Sequence, residues 1–320
     1  MTPPPPPAVP PPRRDHRQLH WNRQVEASVR RAVGGWLRED LGFEADWTSV
    51  ALVPAAAVGS LSVVARRPGV IAGLPAAGLI VAEADAQLGW KPIVADGDRV
   101  EQGTVVAELA GPIRSILQVE RVLLNLLGRL SGVATATRQL VDAVSGTGCR
   151  VYDTRKTLPG WRLLDKYAVG CGGGSTHRLG LYDAILIKDN HLAAAAVKGI
   201  TPAEAVARAR AFITASFPPT RAATMVVEIE VDTLEQAEEI LNAGRPETLP
   251  DIMLLDNMSL AVLREGVRLR DSLAADVILE ASGGITLETA AAIAATGVDR
   301  ISTGMPTHAA AWLDIALDWP

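Results

Sequence analysis

Residues 225–257 read MVVEIEVDTLEQAEEILNAGRPETLPDIMLLDN, and this stretch predicts a strand, a helix and a second strand. Met225–Val231 is mostly aliphatic, as expected of a strand covered on both faces. Thr233-Leu234-Glu235-Gln236 follows as a capping box and starts a helix that stops near Gly244. Ile252–Asp256 then repeats the apolar run. Strands that alternate with helices imply parallel pairing, because only a long crossover returns the chain to the same end of a sheet.

The rhythm extends in both directions. Arg150–Thr154, Ala184–Lys188, Val277–Ala281 and Arg300–Thr303 predict further strands. Thr201-Pro202-Ala203-Glu204 is another capping box, with proline at the first helical position, and a helix from Thr286 ends near Gly297. Polar residues gather where the strands end: Asp153-Thr154-Arg155-Lys156, Lys188-Asp189-Asn190-His191, Glu228 and Glu230, Asp256-Asn257, Ser282-Gly283-Gly284, and Gly304. In a β/α barrel those ends open on one face, where active sites sit. An open doubly wound sheet also collects them at one edge, but no dinucleotide fingerprint is present, so the barrel is expected.

Upstream, Val25, Val29, Val33, Trp36 and Leu37 recur at helical spacing and predict a helix from Trp21 to Asp40. From Val53 to Pro112 short apolar runs (Leu61–Ala65, Gly69–Ala72, Leu79–Ala82, Thr104–Leu109) alternate with turns, as in a small structural module. Pro112 to Val144 is helical in pattern, with a break expected at Ser131-Gly132. Met1 to Pro12 is nearly all proline and reads as a disordered polyproline tail. The expected division is a tail over 1–20, an N-terminal domain with a connecting helix over 21–130, and a barrel domain over 131–320.

The totals exclude several classes. A chain of 320 residues, 48% hydrophobic, can bury a large core. Its net charge of −5 argues against nucleic-acid binding through a broad basic surface, so any positive site must be local. The absence of a long apolar run argues against a membrane span. Cys149 and Cys171 make no bridge framework and no metal-ligand spacing, as expected of core residues in a reducing cytoplasm.

That local positive site lies between Arg155 and Lys188. Arg155, Lys156, Arg178 and Lys188 flank turns and strand ends rather than one helix stripe, so they point to an anionic ligand. Arg162 and Lys166 read as helix-surface residues, and His177 as a charge partner or general acid. Ser282-Gly283-Gly284, between an apolar strand and a helix, suits a phosphate, and Gly304 extends that cradle. Glu230 and Asp256 end consecutive strands. They suit either Mg²⁺ or sugar hydroxyls, with acid–base catalysis a lesser alternative. His191 and His308 read as structural, and His16 and His20 fall in the expected tail.

The joint pattern resembles a known family. Asp153-Thr154-Arg155-Lys156-Thr157-Leu158-Pro159-Gly160, Lys166-Tyr167-Ala168-Val169, Gly172-Gly173-Gly174, His177-Arg178-Leu179-Gly180-Leu181 and Ile187-Lys188-Asp189-Asn190-His191 are similar to quinolinate phosphoribosyltransferases. Glu228-Ile229-Glu230-Val231-Asp232, Leu254-Leu255-Asp256-Asn257, Glu280-Ala281-Ser282-Gly283-Gly284-Ile285 and Thr307-His308 continue the likeness, as do Glu120-Arg121-Val122 and Leu130-Ser131-Gly132-Val133-Ala134-Thr135 upstream. The resemblance implies an α/β protein, with an incomplete (TIM-like) α/β barrel and a smaller N-terminal α/β sandwich domain. It implies a homodimer with shared active sites, leaves higher assembly open, and names quinolinate and phosphoribosyl pyrophosphate as substrates and Mg²⁺ as cofactor. By resemblance, Arg121 enters the partner's site and binds quinolinate with Arg155, His177 and Arg178. Lys156 and Lys188 serve both substrates, and Glu230 and Asp256 face ribose and metal. Thr154 joins the substrate site, and Ser282, Gly283, Gly284 and Gly304 hold the 5′-phosphate.

Gly170, Thr176 and Met305-Pro306 depart from the family pattern, where arginine, asparagine and Ala-Leu are usual, and Asp46-Trp47-Thr48 is a loose form of Gly-Asp-x-Thr. The rival expectations are a paralogous phosphoribosyltransferase for another aromatic acid, and a non-catalytic phosphate-binding barrel. A mono-acid would leave buried cations unpaired, which is costly.

Overall fold

The computed structural model describes residues 13–243, 245 and 248–319; the proline run Met1 to Pro12 and the expected helix stop at Gly244 lie outside the described residues. The described chain falls into two compact units. The larger comprises residues 17–179, 284–294 and 301–319, and the smaller residues 13–16, 180–283 and 295–300.

In the larger unit, α1 (Arg23–Leu41) starts at Asn22, whose side chain accepts from the Gln24 and Val25 N–H groups, and it buries Val25, Val29 and Val33 as the spacing predicts. Then come α2 (Trp47–Leu52), β1 (Val58–Ala65), β2 (Gly69–Val70), α3 (Leu74–Ala84), β3 (Gly89–Pro92), β4 (Arg99–Val100) and β5 (Val105–Pro112). The apolar run Leu79–Ala82, expected as a strand, is therefore helical. Periodicity cannot separate a buried helix from a buried strand over so short a run, and Pro75 in the first turn sets the helix start.

Next is α4 (Ile113–Ala143), one unbroken helix through the break expected at Ser131-Gly132. Gly132 serves close packing instead: a Cβ there would lie 2.3 Å from the Ala311 carbonyl oxygen. The unit continues with β6 (Arg150–Tyr152) and α5 (Arg162–Cys171).

The smaller unit carries the strand–helix rhythm: β7 (Ile185–Ile187), α6 (Asp189–Ala196), α7 (Pro202–Ser216), α8 (Pro219–Ala222), β8 (Val227–Val231), α9 (Leu234–Asn242), β9 (Ile252–Asp256), α10 (Leu260–Leu273) and β10 (Ile278–Ser282). Thr201, Thr233 and Ser259 cap α7, α9 and α10 through their hydroxyls. β7, β8, β9 and β10 pair in parallel in that order, with Ile187 opposite Ile229, Glu230 opposite Leu254, and Asp256 opposite Ser282. Every C-terminal end in this array therefore faces the same way. Ala184, Val226, Ile252 and Ile278 form an apolar cluster.

The chain ends with α11 (Leu287–Ala294), β11 (Arg300–Ser302), α12 (Met305–His308) and β12 (Ile315–Asp318). In the larger unit an antiparallel sheet runs β12-β1-β5-β3, with a separate β2-β4 pair, and Thr303 N–H donates to the Tyr152 carbonyl beside β6. The expected α/β class, with parallel strands and a separate small antiparallel sheet, is present.

The segment from residue 13 to 20 departs from the tail reading. His16 is buried with its Nε2 3.2 Å from Glu228 Oε2, and Arg300 reaches Asp15 at 2.6 Å, all within the smaller unit. In the larger unit Leu19 is buried, and its N–H donates to Thr176 Oγ1 at 3.1 Å. Glu228, expected with the strand-end carboxylates, is fully buried among these groups. It shares a strand face with Glu230, two residues on, but sits deeper in β8.

Candidate active site

In the smaller unit the strand ends deliver three of the expected residues. Lys188 follows β7, Glu230 is the penultimate residue of β8, and Asp256 ends β9. Lys188 Nζ makes an ion pair with Glu230 Oε2, with the lysine half exposed and the carboxylate largely buried. His191 Nδ1 accepts from the Lys188 N–H at 2.9 Å, so this histidine fixes the start of α6, the structural role expected of it. Asp256 is held at 2.6 Å by the Asn257 side-chain amide, and Asn257 N–H donates to the Ser282 carbonyl. Asn257 sits at φ +52°, and a Cβ on Gly283 would meet its Oδ1 at 2.1 Å, so the two loops abut and only glycine fits. Gly283 and Gly284 have φ of +90° and +61°, which opens the backbone after β10 to close approach.

In the larger unit, Thr154, Arg155 and Lys156 follow β6. Thr154 Oγ1 accepts from the Lys156 N–H at 3.0 Å and shapes the turn. Arg155 and Lys156 are exposed and have no carboxylate partner among the described residues. Arg162, expected on a helix surface, is half-buried and donates to Thr157 Oγ1 in the same loop. The Lys156 side chain lies over Gly304, where a Cβ would come within 2.9 Å of its Cδ.

His177 and Arg178 are buried, and the Arg178 N–H donates to His177 Nδ1 at 2.8 Å. Arg121, on α4, is two-thirds exposed and pairs with its neighbour Glu120 at 2.9 Å. Thr176 anchors Gln18 and Leu19 through its backbone and hydroxyl, giving this departure from the family pattern a local structural task.

Lys166 overturns its reading as a helix-surface residue. It is fully buried on α5, and its Nζ donates to Asp153 Oδ1 at 2.5 Å and to the His177 carbonyl at 3.1 Å. Burial pushes the Asp153 carboxyl above its usual range, while Lys166 and the His177 N–H draw it back. Beside it, Asp165 pairs with Arg129 at 3.0 Å. Charges set among Leu163, Leu164, Tyr167 and Ala168 were the available signal, because so apolar a helix has little solvent face. Cys149 and Cys171 are not disulfide-bonded to each other, and burial pushes the Cys171 thiol up to about 12, in keeping with its reading as a core residue.

Exposed cations follow a strand in the larger unit, and the smaller unit sets a carboxylate–ammonium pair at one strand end and Gly283 after another; each, within an α/β fold, is chemistry suited to an anionic ligand. Comparison with known proteins gives the particular family. Residues 46–131 match the N-terminal domain, and residues 133–318 the C-terminal domain, of quinolinate phosphoribosyl transferase. The chain belongs to this family of phosphoribosyltransferases. It is 43% identical over 293 residues to a nicotinate-nucleotide pyrophosphorylase [carboxylating] of Mycobacterium leprae, covering 91% of this chain and 95% of the relative. It is 37% identical to a quinolinate phosphoribosyltransferase [decarboxylating] of Nicotiana glauca, over 88% of this chain and 79% of that one. The solved nicotinate-nucleotide pyrophosphorylase of Francisella tularensis superposes with a TM-score of 0.83 at 34% identity, over 95% of this chain and 99% of that one. No described helix is long and apolar enough to cross a membrane.

Proposed function

We propose that this chain transfers the phosphoribosyl group of phosphoribosyl pyrophosphate to quinolinate with loss of CO₂, giving nicotinate mononucleotide and pyrophosphate in de novo NAD biosynthesis. The observation that carries the reading is the exposed Arg155–Lys156 pair, without a carboxylate partner among the described residues, in the loop that follows β6 within the matched domain. Arg155, His177 and Arg178 bind the two carboxylates of quinolinate, for which guanidinium forks are suited. Thr154 shapes that loop. Lys156 and Lys188 take up charge growing on pyrophosphate as the anomeric C–O bond breaks. Ser282, Gly283, Gly284 and Gly304 offer backbone N–H groups to the 5′-phosphate.

Glu230 and Asp256 support the positive charge that develops on the ribose, while the pyridine nitrogen, held in line, forms the new bond. The ring is then a pyridinium. The bond to its adjacent carboxylate breaks, the electron pair stays on the ring, CO₂ departs and the ring carbon takes a proton. Two carboxylates are fewer donors than a cation cage of protein alone needs, which suits Mg²⁺ held also by water and substrate oxygens. When bound, Mg²⁺ would neutralise charge on the pyrophosphate oxygens.

Arg121 completes the quinolinate site of a partner subunit in a homodimer, a reading supported by its exposure on α4. The absence of a disulfide between Cys149 and Cys171 suits a reducing cytoplasm. The test is incubation of purified protein with phosphoribosyl pyrophosphate, Mg²⁺ and either quinolinate or nicotinate. Nicotinate mononucleotide and CO₂ should form from quinolinate alone, and chelation of Mg²⁺ should stop the reaction. Equal turnover of nicotinate would make the chain a mono-acid transferase, and binding without turnover would make it a phosphate-binding barrel.

A further inference from the structure

We infer that the adjacent buried residues Asp165 and Lys166 on α5 are positioning residues, each fixing a different part of the substrate site through its own relay. The inference rests on the proposed division of the site between quinolinate and phosphoribosyl pyrophosphate.

The Lys166 relay is short. Its Nζ donates to Asp153 Oδ1 at 2.5 Å and to the His177 carbonyl at 3.1 Å, and the same Asp153 oxygen accepts the His177 N–H at 2.8 Å. His177 is thus gripped through both its backbone groups. Its ring in turn accepts the Arg178 N–H at 2.8 Å. Asp153 also begins the loop that carries Arg155, so one ammonium sets the base of both quinolinate-binding segments.

The Asp165 relay runs the other way. Both its oxygens bind the Arg129 Nη2, at 3.0 and 3.2 Å, and that nitrogen also donates to the Thr307 carbonyl at 2.5 Å. Thr307 Oγ1 donates to the Lys156 carbonyl at 2.7 Å and contacts the Gly304 carbonyl at 3.0 Å. Lys156 and Gly304 belong to the pyrophosphate and 5′-phosphate side of the proposed site.

Asp153, Asp165, Lys166, Arg129 and Thr307 are all buried. Four buried charges that cancel in two pairs add little net stability compared with apolar residues of the same volume. Their placement against two different site segments accounts for their presence better than stability does. Neither Asp165 nor Lys166 reaches a reacting atom in this arrangement, so both act through the groups they hold.

The experiment compares two charge-neutral double variants of the full chain, Lys166→Met/Asp153→Asn and Arg129→Met/Asp165→Leu, with Lys166→Arg as the conservative control. Removing both partners of each pair avoids a lone buried charge, the main threat to folding. Amide exchange without substrate should quicken at His177 and Arg178 in the first double variant, and at Thr307 and His308, whose N–H groups donate to the Gly304 carbonyl, in the second. Apparent KM for quinolinate should then rise about tenfold or more in the first, with KM for phosphoribosyl pyrophosphate little changed; in the second, where Lys156 serves both substrates, KM for phosphoribosyl pyrophosphate should rise more than KM for quinolinate. Lys166→Arg should recover part of the quinolinate affinity.

Equal changes in both constants, or exchange unaltered at either segment, would overturn the relays. Exchange reads the relays without any substrate. A wild-type protein that fails to bind quinolinate would therefore sink the functional reading separately.

Discussion

Gly132 gives the sharpest test of how α4 is packed, because helix propensity and packing predict opposite signs. In a helix interior, Gly→Ala ordinarily gains about 1 kcal/mol. Here the new Cβ would lie 2.3 Å from the Ala311 carbonyl oxygen and 2.9 Å from the Trp312 Cα, both backbone atoms with no rotamer to yield. The segment crossing α4 must move, at about 1–3 kcal/mol for such overpacking. That movement pulls on the 2.9 Å bond from Leu313 N–H to the Gly128 carbonyl, worth about 1 kcal/mol. The gain and the lost bond offset each other, leaving Gly132→Ala destabilised by about 1–3 kcal/mol. Gly35→Ala is the matched control. Gly35 lies within α1, an added methyl there would meet nothing within 4 Å, and the substitution should gain about 1 kcal/mol. Urea unfolding followed by tryptophan fluorescence reads both. The midpoint should fall for Gly132→Ala and rise for Gly35→Ala. If both rise, the crossing segment is not seated against α4 as described, and the account of the unbroken helix fails.

Two other expectations follow from single contacts. If Arg121 serves a neighbour's site, mixing Arg121→Ala with Arg178→Ala protein restores one complete site in each hybrid dimer, so random exchange of subunits should recover about a quarter of wild-type activity; no recovery after confirmed exchange would remove Arg121 from the shared site. Asp46 caps α2 by accepting from the Thr48 and Ser49 N–H groups and pairing with the Ser49 hydroxyl, and these bonds, the Ser49 hydroxyl first, hold its carboxyl below the usual range. A folded pKa below the unfolded one adds stability above the unfolded value and loses it as pH falls through the folded one. The deficit of Asp46→Ala against wild type should therefore be full near neutrality and shrink at acid pH; a deficit independent of pH would show that the charge plays no part in the cap.

What the sequence made legible was whatever obeys a local rule. The strands β7 to β10 fall within a residue or two of their apolar runs, because a strand covered on both faces must be apolar throughout. Thr201 and Thr233 cap helices where their spacing to Glu204 and Gln236 required. Lys188, Glu230 and Asp256 reach the ends of neighbouring strands because parallel register leaves no other place for them. Leu79–Ala82 misleads because so short an apolar run fits a buried helix as well as a strand. The other failures share one cause, which is that a partner distant in sequence decides what a residue does: Gly132 interrupts nothing because Ala311 needs its space, and His16 leaves the expected tail because Glu228 is buried beside it. Lys166 belongs to the same class: its charge suggested solvent, while its partners Asp153 and His177 lie 13 and 11 residues away. A charged side chain inside an apolar helix is thus better read as a question about its partner than as a mark of the surface. In this chain the answer leads from α5 to the two segments whose residues are proposed to bind the anionic substrates.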